Sequence, residues 1–173
     1  MRIFLERLYY FSAVLAGFCL AVMTLLILSQ IVGRWFGVII PSTEDFSGYL
    51  VASSFALGLA YSFRRGAIIR VTLMIGRFRG RRRFIIECFA MLIMVIMTVF
   101  IVWYFGYIVY ESYGFQEVTQ GYISIPLWIP QLPVFIGLLI FGIAVIDDVF
   151  SLLLSGQTSY MIQENTSFPE NNE

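Results

Sequence analysis

The chain has 173 residues, of which 60% are hydrophobic and only 13% charged, against about 45–50% and about 25% in soluble domains. Its net charge is zero and it contains no histidine, which excludes bis-histidine haem ligation, imidazole zinc sites and histidine-based catalytic pairs. Cys19 and Cys88 each lie in an apolar run and form no Cys-x-x-Cys pair, so both read as small buried hydrophobes and not as redox centres.

A membrane-spanning helix needs about 20 mostly apolar residues. Four stretches qualify, at approximately 8–33, 46–64, 84–110 and 127–154. The first is too long for a signal-peptide core and no convincing cleavage site follows it, so it reads as a retained helix. The third exceeds the hydrocarbon thickness and should tilt or project. The fourth is interrupted near its end by Asp147 and Asp148. Residues 1–156 thus form a single membrane domain, and the polar 157–173 tail reads as disordered and cytoplasmic. The expected fold class is an all-α integral membrane protein with four transmembrane helices.

Every base is an arginine, and the arginines are unevenly placed. Arg64, Arg65, Arg70, Arg77, Arg79, Arg81, Arg82 and Arg83 lie between spans two and three, and Arg2 and Arg7 at the N-terminus. Arg34 stands alone in the first loop, and no base occurs between Glu111 and Pro133. The positive-inside rule puts both termini and the arginine-rich loop in the cytoplasm. Within that loop Val71, Met74, Ile75 and Phe78 recur at helical spacing, which suggests a short interfacial amphipathic helix between helices two and three; a solvated basic loop is the competing reading. Anionic headgroups favour either arrangement, so membrane lipids are expected partners. Beside two spans, the arginines read as a topological signal and no nucleic-acid partner is expected.

The middle of each span carries no charge. Arg34, Glu44, Asp45, Glu87, Glu111, Asp147 and Asp148 all sit at or near span ends. Pumps and transporters commonly place ionisable groups or broken helices at mid-membrane. Their absence here argues for a supporting subunit. No nucleophile, metal or thiol constellation is present either, so no enzymatic activity, cofactor, metal site or substrate site is expected on this chain. A channel or small exporter would show a pore-facing acid or polar stripe. The best rival reading is a tetraspan scaffold of some other membrane complex.

Two local patterns supply candidate contact residues. Gly48, Ala52, Ala56 and Ala60 recur every fourth residue on helix two, as do Ala13, Gly17 and Ala21 on helix one. Small stripes let backbones approach closely in membranes, and these serve either internal bundle packing or docking on another subunit. At the start of helix two, Ser42 with Asp45 three residues on resembles a capping box, and Glu44 and Asp45 suit the positive end of the helix dipole. Arg34 could pair with either acid across the outer loop. Trp128 fits an interfacial anchor at the start of helix four, where prolines are tolerated in the first turn.

Three stretches resemble the small membrane subunit of tripartite ATP-independent periplasmic (TRAP) transporters. They are Arg34 followed by Glu44-Asp45; Gly58-Leu59-Ala60-Tyr61-Ser62-Phe63-Arg64-Arg65-Gly66, continuing to Ile69-Arg70-Val71; and Pro126-Leu127-Trp128-Ile129-Pro130-Gln131-Leu132, followed by Gly137. They cover roughly residues 8 to 155. The chain departs from the family pattern at Ser42-Thr43, where tryptophan often precedes the acids, at Ala67-Ile68 in place of Glu-His, and at Thr72 in place of Asp. The resemblance implies a bacterial inner-membrane protein that braces a large multi-span subunit and helps dock a periplasmic substrate-binding protein during sodium-coupled import of an organic anion, commonly a carboxylate. It also implies a docking surface at Arg34, Glu44 and Asp45, and a family motif on the cytoplasmic loop at Arg64, Arg65, Gly66 and Arg70.

Overall fold

The computed structural model describes residues 2–38, 41–65 and 81–155, with side chains for 5–38, 41–65 and 89–150. Four helices account for nearly all of it: α1 (Arg2–Trp35), α2 (Thr43–Arg64), α3 (Arg81–Gly114) and α4 (Trp128–Ser155). Each is long and apolar enough to cross a membrane, over Leu5–Trp35, Thr43–Arg64, Phe89–Gly114 and Trp128–Phe150. The chain is therefore an all-α, multi-pass membrane protein. Both α1 and α3 have 34 residues, roughly 50 Å at 1.5 Å per residue, so they outreach a hydrocarbon core of about 30 Å. The proposed interfacial helix and the polar tail lie outside the described residues.

The four helices do not close into a bundle. α1 packs along α2, α2 along α4, and α4 along α3, while α1 makes few close backbone approaches to α4. The spatial order is α1–α2–α4–α3, an open row with α2 and α4 in the centre. Lipid tails are as apolar as leucine, so close packing of small residues, not water exclusion, holds such helices together. The buried positions fit that rule: Ser12 and Ala16 on α1, Ser53, Ser54, Ala56 and Ala60 on α2, and Ala144 on α4. Tyr9, Ala60 and Ala144 form a cluster at the arginine-bearing end, flanked by Leu5, Tyr61, Phe63, Ile140 and Phe141. There Phe63 meets Phe141 edge to face at 5.7 Å.

α2 and α4 approach one another closely at Gly137. A Cβ added at Gly137 would lie 2.6 Å from both the Ala56 carbonyl carbon and the Leu57 nitrogen. Only glycine fits there. One residue onward, the Leu57 carbonyl accepts a hydrogen bond from the Ser12 hydroxyl on α1, so both neighbours of α2 are seated at the same level. α3 rests on α4 through looser contacts, Phe135 lying across Gly106, and Thr98 and Val102 near Gly142.

The four-residue stripes do not stay on one face. A step of four residues on a 3.6-residue helix advances by about 40°, so Gly48 and Ala60 lie about 120° apart. Ala56 and Ala60 are 2% and 0% exposed, inside the row, whereas Gly48 and Ala52 are exposed. On α1 the seam runs through Tyr9, Ser12 and Ala16, leaving Gly17 and Ala21 outside. The α2 stripe divides between internal packing and outer surface, whereas the α1 stripe is half-buried at Ala13 and exposed at Gly17 and Ala21.

Candidate functional site

Two polar assemblies stand at opposite ends of α2. At its N-terminus, Ser42 has φ 58° and ψ 13°, and its side chain makes no capping hydrogen bond. The capping-box expectation is thus corrected: a left-handed residue aims its hydroxyl away from the first-turn N–H groups that a cap would satisfy. Ser42 Oγ instead accepts a hydrogen bond from the Ile123 N–H at 3.2 Å. This ties the loop between α3 and α4 to the start of α2. Gly121 lies over the Asp45 carboxylate and 3.1 Å, counted from an added Cβ, from Ser42 Oγ, so a side chain there would displace Asp45.

That loop is braced within itself. The Thr119 hydroxyl donates to the Ile123 carbonyl at 3.0 Å and accepts from the Ile125 N–H at 3.1 Å. The Thr119 N–H donates to the Ile125 carbonyl at 2.9 Å, and the Leu127 N–H to the Glu117 carbonyl at 2.8 Å. Val118 and Pro126 form an antiparallel bridge. The buried Ser112 hydroxyl donates to Glu117 Oε2 at 3.1 Å, fastening the loop to the end of α3. In sequence this stretch offers only a lack of bases; nothing in it announces Thr119 as the centre.

Arg34 stands in the last turn of α1, where a cation suits the negative end of the dipole. Among the described residues it forms no ion pair with Glu44 or Asp45. Those two acids occupy the first turn of α2 and are exposed. The three residues therefore share the α1–α2 connection without being joined as a charge cluster. Trp35 and Phe36 beside them are strongly exposed.

The other assembly lies at the C-terminal end of α2. Arg64 Nη1 donates to Asp147 Oδ2 on α4 at 2.6 Å, and its guanidinium carbon stands 5.3 Å from the centre of the Tyr9 ring on α1. Asp148 beside it is 1% exposed. Arg65 behaves differently. It is exposed, and its guanidinium lies 5.1 Å over Tyr61 of its own helix. Gly66 and Arg70 of the same motif lie outside the described residues. The Arg64–Asp147 pair spans 83 residues of sequence, and finding it requires knowing that α2 and α4 are neighbours.

Three further hydroxyls within the spans are turned onto their own helices. Thr24 donates to the Leu20 carbonyl at 2.9 Å, Ser29 to Leu25 at 2.8 Å and Ser53 to Tyr49 at 2.7 Å.

Four spanning helices in an open row, with their charges at the ends, define a small polytopic membrane subunit. The chain matches, over residues 23–155, the profile of the tripartite ATP-independent periplasmic transporters, DctQ component. It belongs to that family, the small membrane component of TRAP transporters. No curated protein matches it at a significant level.

Proposed function

We propose that this chain braces the large membrane subunit of a TRAP transporter and helps dock a periplasmic binding protein during sodium-coupled uptake of an organic anion, commonly a carboxylate. The observation that carries this reading is where the polar groups go. The described ionisable side chains of the helices stand near span ends, and the hydroxyls of Ser12, Thr24, Ser29 and Ser53 are spent on backbone carbonyls. Such a chain supports a transport path formed elsewhere. Membrane vesicles given an inward sodium gradient and the cognate binding protein should take up labelled organic acid only when this chain accompanies the large subunit. Full uptake without it would refute the bracing role.

The proposed location is the bacterial inner membrane, with both termini and the 64–83 arginine-rich segment cytoplasmic. Reporter fusions after Ser155 should show cytoplasmic activity, and fusions within 114–121 periplasmic activity. The reverse at either site overturns this topology.

On the periplasmic side we assign docking to Arg34, Glu44 and Asp45, beside the Ser42–Ile123 contact. Arg34→Ala and Glu44→Ala should leave membrane levels near normal, because single exposed charges contribute only about 0–1 kcal/mol. Each should lower uptake several-fold when binding protein is limiting. Since Arg34 and Glu44 share no ion pair, the double variant's loss should match the product of the singles to within about twofold. Unchanged uptake in all three would remove the docking assignment.

A further inference from the structure

Arg64 and Arg65 are adjacent in an arginine-rich stretch, and the positive-inside rule reads both as the same topological signal. Their geometry separates them. Arg64 turns back into the helix row, to Asp147 of α4 at 2.6 Å and over the Tyr9 ring of α1. Arg65 remains exposed on its own helix, over Tyr61. We infer that Arg64, Asp147 and Tyr9 form a three-helix clamp that holds α1 and α4 onto the end of α2, which makes Arg64 a positioning residue distinct in role from Arg65.

Three observations converge on this. First, α1 and α4 make few close backbone approaches and converge chiefly around the Tyr9–Ala60–Ala144 cluster, so a group that reaches both from α2 beside that cluster joins them where they meet. Second, Arg64 is in the last turn of α2, where the helix dipole favours a cation, and a planar guanidinium can stack on a ring while binding a carboxylate along its edge. Third, Tyr9 is 2% exposed, yet among the described residues its hydroxyl has no hydrogen-bond partner. The described contact of this side chain with Arg64 is through its ring, which the guanidinium covers. Removing either charge would break a charge-assisted contact between side chains only 16% and 28% exposed, a larger loss than that of a fully exposed pair.

The test is made on the full chain, co-expressed with its transporter partners and extracted from membranes. Arg64→Ala and Asp147→Asn should each lower the temperature of half-loss on heating by about 5 °C or more. The double variant should be no worse than the poorer single, since the two share one interaction. Arg65→Ala should shift it by no more than about 1 °C. Tyr9→Phe should behave as the parent, whereas Tyr9→Leu should lose stability as Arg64→Ala does. Should Arg64→Ala fail to accumulate, combining Arg64→Asp with Asp147→Arg should restore at least half the membrane level. Additive losses from Arg64 and Asp147, equal losses from Arg64→Ala and Arg65→Ala, damage by Tyr9→Phe as large as by Tyr9→Leu, or no recovery on swapping the charges would each overturn the clamp. The readout is the chain's own stability, so the inference stands or falls independently of the transport reading.

Discussion

Replacing Gly137 with alanine should remove most of the protein from the membrane, the largest effect expected of a methyl group added at any described glycine. The new Cβ would lie 2.6 Å from the Ala56 carbonyl carbon, 2.6 Å from the Leu57 nitrogen and 2.8 Å from the Ala56 oxygen. These atoms are backbone and cannot swing aside as a side chain would. α2 and α4 would have to separate, loosening the Ala60–Ala144 cluster and the Arg64–Asp147 pair together. Overpacking of a close contact costs about 1–3 kcal/mol, a large share of the roughly 5–15 kcal/mol that keeps a typical protein folded. Gly17→Ala and Gly48→Ala are the controls. Nothing lies within 4 Å of a Cβ at either site, and alanine is the better helix former by about 1 kcal/mol. Immunoblots of membrane fractions should show normal levels for both controls and a severe loss for Gly137→Ala. Normal levels for all three would mean that α2 and α4 are not packed at this distance.

The second large effect separates two alanines one helical turn apart. Ala56 is 2% exposed and faces Gly137; Ala52 is exposed. Ala56→Leu should push α4 off α2, cost about 1–3 kcal/mol, and lower the amount of inserted chain. Ala52→Leu adds its bulk outside the row, so the chain should insert normally. Its effect should fall instead on co-purification of the large subunit, to which we assign the exposed Gly48–Ala52 face. If Ala52→Leu leaves the complex intact, that face meets lipid. If Ala56→Leu is silent, the α2–α4 seam described above is wrong.

The reasons some features were legible in the sequence and others were not differ residue by residue. The four spans were readable because the bilayer imposes a length and a composition on each helix separately. The family stretches around Arg64 and Pro126 were readable because they are contiguous. Helix order in space was not, because apolar faces toward lipid and toward other helices look alike. The small-residue stripe on α2 is plain in the sequence, but its division at Ala52 and Ala56 depends on where α4 lies. Ser42 reads as a cap by residue type, yet its backbone is left-handed and its hydroxyl oxygen accepts from the Ile123 N–H, 81 residues away. Arg34 and the acids at Glu44 and Asp45 are near in sequence and do not pair; Arg64 and Asp147 are far apart and do. In each case the missing information was tertiary.

The partnership of Arg64 with Asp147 has a consequence for how the chain is made. Synthesis runs from the N-terminus, so α2 enters the bilayer well before α4 exists. It is also the least apolar of the four spans. During that interval α2 has α1 as its neighbour, through the Ser12–Leu57 contact, but its terminal guanidinium has no carboxylate from α4. The counter-charge arrives 83 residues later, close to the end of the last helix. Completion of the row is thus a late event in biogenesis, reached when Asp147 of α4 meets Arg64 of α2.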